Sequence, residues 1–225
     1  MPDRRVAVAL ILTAVAAVLL QQYGQVPMIL RLLPMAWRDA QIQLHVRILW
    51  VTLHGVFYIA APLLAARACG LHASDLGLRF RVTRKELWIV AGVVCGAFPL
   101  ILLCSRSAVF QSAYPLYRPT RLQAANTALW FAVFAVYLFS IELYFRGFLF
   151  GMLTPALGRH ALYVSLVPYV ATHGFLPEAL GAIPVGLLLG ALRMRTDSLW
   201  LGYLAHFLVA AQIELIALFR HGLLT

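Results

Sequence analysis

Acidic side chains are scarce in this chain: 8 Asp and Glu stand against 18 Lys and Arg, and charged residues of both signs fill only 12% of 225 positions. A soluble domain needs far more charge than that, and nothing like the 63% hydrophobic content found here. With a mean hydropathy of +0.86, the composition excludes a water-soluble protein and indicates a polytopic membrane protein with nearly all its mass in the bilayer. Cysteine is also rare. Cys69, Cys95 and Cys104 show no metal-ligand spacing, which excludes a cysteine zinc module and a disulfide framework and leaves them as small apolar packing residues. No internal repeat, low-complexity tract or linker divides the chain, so residues 1–225 read as a single transmembrane domain.

The net charge is +10, and nearly all the basic residues are Arg. In a soluble protein that balance would suggest nucleic acid. Here the basic residues fall between apolar runs, so the positive-inside bias and anionic lipid headgroups account for them, and the expected partner is the lipid bilayer with no nucleic acid. Apolar runs over 6–20, 48–66, 87–104, 124–153, 161–176, 178–192 and 198–219 predict an all-α transmembrane helix bundle of about seven spans. The run at 124–153 is longer than a bilayer requires, so it tilts or projects beyond one face. Residues 31–47, with Arg31, Arg38, Asp39 and Arg47 among Trp37, Leu44 and Val46, read as an interfacial segment. The 67–86 loop, with Arg79, Arg81, Arg84 and Lys85, is the most basic and is expected on the cytoplasmic side.

Charge inside the apolar runs carries the chemistry. In Ser140-Ile141-Glu142-Leu143-Tyr144-Phe145-Arg146-Gly147, Glu142 and Arg146 lie four residues apart on one helix face, the Glu on the N-terminal side as an ion pair prefers. His173 and His206 fall in two further predicted spans. Each of these groups carries a desolvation cost that demands a partner, so together they predict a polar site inside the bundle, although a single such histidine is more often a hydrogen-bonded core residue. A carboxylate and two imidazoles around one cavity can activate a water, the carboxylate taking the proton while the imidazoles orient the water or donate to the oxyanion. The same Glu142, His173 and His206 could instead hold zinc and leave a fourth position for water. The sequence leaves both readings open.

These residues resemble a known family, the CPBP group of intramembrane proteases, also called the ABI or CAAX prenyl protease 2-like family. Its pattern is a Glu-Glu pair followed by three residues, Arg and usually Gly; then an aromatic four before a His; then a His four before an Asn. The chain offers Ile141-Glu142-Leu143-Tyr144-Phe145-Arg146-Gly147, then Tyr169-Val170-Ala171-Thr172-His173, then His206-Phe207-Leu208-Val209-Ala210. Gly186-Leu187-Leu188-Leu189-Gly190, Arg195-Thr196-Asp197-Ser198-Leu199-Trp200 and Asp75-Leu76-Gly77-Leu78 are similar in character, so the family-like core covers about residues 74–215.

Ile141 stands where the family has its first Glu, usually given the role of activating water, and Ala210 stands where it has Asn. Neighbouring helix positions point about 100° apart, so Glu142 does not simply fill the vacant place. The resemblance implies an intramembrane endopeptidase acting on membrane-associated peptides or protein tails, with Glu142, His173 and His206 as the catalytic set, Arg146 and Tyr169 in support and no metal. It also implies a multi-pass protein of a bacterial-type cell membrane. The alternative is a catalytically impaired relative serving as a membrane scaffold or in peptide immunity, which Ile141 and Ala210 favour. A transporter fits least, because the chain is small and has no inverted repeat.

Overall fold

The computed structural model describes residues 2–22, 25–32, 42–80, 82–119, 121–173 and 176–224. In chain order the helices are α1 (Pro2–Gln22), α2 (Val26–Leu32), α3 (Ile42–Gly55), α4 (Ala61–Ala68), α5 (Arg84–Cys104) and α6 (Ala108–Ala113). They continue with α7 (Ala124–Glu142), α8 (Phe150–Leu157), α9 (Ala161–Ala171), α10 (Leu176–Thr196) and α11 (Trp200–Arg220). π-helical turns at Val56–Ala60 and Leu143–Leu149 join α3 to α4 and α7 to α8 without a break. Among the described residues there is no strand, as an all-helical bundle requires. Most of the predicted interfacial segment 31–47 lies outside the described residues, as does Arg81.

Four helical segments are long and apolar enough to cross a membrane: Leu44–Ala68, Arg84–Cys104, Ala124–Ala171 and Trp200–Arg220. The protein is an integral membrane protein, and Leu64, Leu100, Leu103 and Val167 turn outward, where lipid would lie. The expected count of about seven depends on α1, α9 and α10 as well. At 21 residues each, α1 and α10 have the length of a span. By contrast α9 has 11 residues, about 16 Å at 1.5 Å per residue, and ends in a turn at Thr172-His173. The apolar run over 161–176 is therefore realised as a helix shorter than the ~20 residues that cross a hydrocarbon core alone.

The chain's punctuation is local chemistry. Thr83 and Glu86 form a capping box that starts α5: the Glu86 amide donates to Thr83 Oγ1 at 3.3 Å, and the Thr83 amide donates to Glu86 Oε2 at 2.6 Å. Gly158, at φ +53°, ends α8. In the core α11 packs chiefly on α5, α10 on α9, α3 on α7 and α1 on α8.

The 72–79 loop lies directly against the α7–α8 helix because two glycines admit it. A Cβ on Gly147 would stand 3.0 Å from the Leu76 carbonyl oxygen, and one on Gly151 would stand 2.9 Å from that of Asp75. The loop is then laced to the α10–α11 turn: the Leu199 amide donates to Gly77 O at 2.9 Å, Ser198 Oγ to Arg79 O at 3.1 Å and Trp200 Nε1 to Leu78 O at 3.0 Å. Arg193, 5% exposed, completes the clasp, donating from Nη2 to Asp75 O at 2.8 Å and from Nε to Arg146 O at 3.1 Å. Gly77 holds φ +70°, and a Cβ there would come within 2.6 Å of Arg193 Nε. Gly77→Ala is therefore expected to cost about 1–3 kcal/mol, read as a lower unfolding midpoint in detergent. An unchanged midpoint would show that the clasp is not needed for stability.

Candidate active site

Glu142 is the last residue of α7 and opens the π-helical turn, every residue of which is buried. A π turn adds a residue to the helical repeat and re-aims the side chains that follow it, a common feature of functional positions in helices. Glu142 is 0% exposed and Arg146 4%, so neither charge is stable without a partner. They find each other: Arg146 Nη1 donates to Glu142 Oε1 at 3.3 Å. The other end of the guanidinium donates from Nη2 to the Gly186 carbonyl of α10 at 3.4 Å, and its plane lies over the Tyr169 ring, with Cζ 3.9 Å from the ring centre. Arg146 thus ties α7, α9 and α10 together at one point.

The second contact of Glu142 is with α11. His206 Nδ1 lies 2.8 Å from Glu142 Oε1, the shorter of the carboxylate's two contacts. His173, just past the end of α9, places Nδ1 at 3.0 Å from the Tyr169 carbonyl oxygen. Both imidazoles lie against the Tyr169 ring, with ring centres 4.8 Å away for His173 and 6.4 Å for His206. Glu142, Arg146, Tyr169, His173 and His206 therefore form one neighbourhood, built from α7, α9, α10 and α11.

The partners fix the tautomers. A carboxylate or carbonyl oxygen only accepts, so Nδ1 carries a hydrogen in both histidines, and the ring's other nitrogen, Nε2, is left to face outward from these contacts. Within the Glu142 carboxylate, Oε1 is held by His206 and Arg146.

Four buried side-chain oxygens among the described residues have no hydrogen-bond partner, and two of them, Glu142 Oε2 and the Tyr169 hydroxyl, belong to this neighbourhood. Beside Oε2 the chain places Gly202, whose absent Cβ would stand 3.4 Å from that oxygen. Unpaired buried oxygens are costly. Among the described residues no three His, Cys, Asp or Glu side chains group as metal ligands.

The departures from the family pattern are apolar in space as well as in sequence. Ile141 is 7% exposed in the main core cluster, and Ala210 packs against the same cluster. Sequence reasoning met Gly186 only within the phrase 186–190 and did not single out Gly202 or Arg193, which act through an empty space and a second guanidinium. Two other charged or titratable groups in apolar helices are structural. Glu214 accepts from the Leu116 amide at 2.8 Å and from Trp130 Nε1 at 3.2 Å. His54 places Nδ1 at 2.8 Å from Trp50 O and lies among Trp50, Tyr58 and Tyr137.

Comparison with known proteins gives one family match, and no curated protein and no solved structure matches the chain. The matched segment contains all five residues of the site and the Arg195–Trp200 phrase, and leaves the Asp75–Leu78 phrase outside. Residues 123–211 match the family described as type II CAAX prenyl endopeptidase Rce1-like.

Proposed function

We propose that this protein is an intramembrane endopeptidase that hydrolyses peptide bonds in membrane-associated peptides or protein tails. The family match makes a CAAX-type membrane protease the natural class, and one observation carries the residue roles: the buried 2.8 Å contact between Glu142 Oε1 and His206 Nδ1. In this reading His206 Nε2 is the general base. It takes a proton from water, and the resulting hydroxide adds to the scissile carbonyl carbon. The Glu142 carboxylate stabilises the imidazolium formed in that step. The proton then passes from His206 to the leaving amine as the C–N bond breaks, leaving a carboxylic acid on one product and an amine on the other. The Tyr169 hydroxyl is the uncommitted donor for the developing oxyanion, and neutral His173 accepts from the attacking water through Nε2.

A second reading, a scaffold that keeps the fold without catalysis, is favoured by Ile141 in the place of the first family Glu. The two separate in liposomes that present a prenylated peptide and a transmembrane reporter peptide. The enzyme reading expects wild-type cleavage that His206→Gln lowers by at least about 10²-fold while the unfolding midpoint holds. Cleavage seen only in Ile141→Glu would assign the wild type to the scaffold.

A further inference from the structure

A second polar site lies at the far end of the α7–α8 helix, where the function just proposed makes no use of it. A cavity of about 590 Å³ opens between the start of α1, the 74–79 loop, α8 and the end of α10. Arg5, Arg79, Arg193, Ser74, Asp75 and Asp197 supply its polar wall. Three guanidiniums against two carboxylates make it cationic. Asp75 Oδ2 accepts from the His72 amide at 2.8 Å, and Asp197 Oδ1 accepts from Arg193 Nη1 at 3.4 Å, so one oxygen of each carboxylate is engaged by the protein's own donors. Arg193 is also spent, with Nε and Nη2 on backbone oxygens.

Two of the three guanidiniums keep unused donors. Arg5 uses Nε and Nη2 on the Cys69 carbonyl at 3.2 and 3.0 Å, which fixes the side chain and leaves Nη1 without a partner. The Arg79 guanidinium has no partner among the described residues. Two guanidiniums with unused N–H groups, one of them held rigidly, match the oxygens of a phosphate better than they match any group of the protein around them. The cavity is also far larger than a phosphate alone requires, which leaves space for the glycerol portion of a headgroup. Arg5 lies near the start of α1, a helix of bilayer length, and the apolar part of the wall, Phe150 and Pro155, lies on α8.

We propose that this cavity is a phosphate-binding site, read by Arg5 and Arg79 and occupied by the phosphate of a membrane lipid headgroup or by a soluble phosphate. Its rear wall is Arg193, whose Nε holds the Arg146 carbonyl, so an occupant would brace the turn that carries the candidate active site.

The test uses the full-length protein purified in a neutral detergent, with binding read by native mass spectrometry and by the unfolding midpoint. Phosphatidylglycerol is compared with diacylglycerol of the same chains, which lacks only the phosphate-linked headgroup, and inorganic phosphate is a third probe. The expected result is phosphatidylglycerol binding about tenfold tighter than diacylglycerol, a preference that Arg79→Gln reduces about tenfold and Arg5→Gln/Arg79→Gln removes. Arg79→Gln keeps the backbone oxygen used by Ser198, so its fold is protected. Arg84→Gln/Lys85→Gln, on basic residues outside the cavity, should bind as wild type does. Displacement of the lipid by millimolar inorganic phosphate would identify a soluble phosphate as occupant, and no displacement would identify the headgroup. Equal binding of phosphatidylglycerol and diacylglycerol, with no response to phosphate, would overturn the proposal. So would wild-type affinity in Arg79→Gln, or an equal loss in Arg84→Gln/Lys85→Gln.

Discussion

Glu142→Gln is expected to yield a folded protein whose peptide cleavage in liposomes has fallen by about 10²–10⁴-fold. Glutamine keeps the length, the volume and one acceptor oxygen, so packing beside Gly202 and Tyr169 is preserved. It removes the negative charge that steadies the imidazolium form of His206 during proton transfer. It also offers an amide N–H₂, and if that group faces the ring, His206 Nδ1 becomes the acceptor and Nε2 carries the hydrogen, the wrong tautomer for a base. The loss should therefore appear mainly in the catalytic step and much less in substrate binding. Arg146 keeps its contacts with Gly186 and Tyr169 in this variant, which guards the fold. Wild-type cleavage that survives Glu142→Gln would remove Glu142 from the mechanism.

Arg146→Ala is expected to destabilise the protein by about 3–5 kcal/mol, because it strands a carboxylate that has no exposure to solvent. The diagnostic variant is the double, Arg146→Ala/Glu142→Gln. Removing the charge together with its partner should recover much of the loss, leaving only the missing contacts to Gly186 and the Tyr169 ring. A cycle of wild type, two singles and the double, read by denaturant unfolding in detergent, isolates the coupling. Arg146→Lys should recover only part: an ammonium is a point charge that cannot address Glu142 and Gly186 with a planar fork while covering the Tyr169 face. Additive losses across the cycle would show that Glu142 and Arg146 are neighbours without being partners.

Much of the fold was legible in the sequence because the bilayer imposes a simple rule, and every apolar run of sufficient length became a helix. The limits of that rule are visible at 161–176, where the run is apolar throughout its first part and the helix nonetheless stops at Ala171. Hydropathy records what lipid tolerates, not where a backbone turns. The site was legible as residue types at helical spacing: Glu142 and Arg146 pair as their four-residue separation suggested. What spacing does not carry is the direction of a hydrogen bond. The roles proposed for Glu142 and His206 rest on which atoms meet, and the place of Tyr169 follows from a guanidinium stacked on its face. Nor does composition separate Glu142 from Glu214, or His206 from His54. Each pair looks alike in an apolar helix, and only their partners distinguish a site from a structural tie.

The glycine seam along α7–α8 bears on which substitutions the protein can absorb. Gly147 and Gly151 face main-chain oxygens of the 72–79 loop, and a carbonyl oxygen is present whatever side chain the loop residue carries. Changing Asp75 or Leu76 therefore makes no room for a larger residue at 147 or 151, and no second-site replacement in the loop compensates for one. The two sides of the contact are unequal in mutational freedom. The loop can drift in identity so long as its path is kept, whereas the helix side is confined to glycine. Because Arg193 connects that path to the Arg146 carbonyl, this rigidity extends to the spacing between the loop and the candidate active site, although the loop itself touches none of its reacting groups.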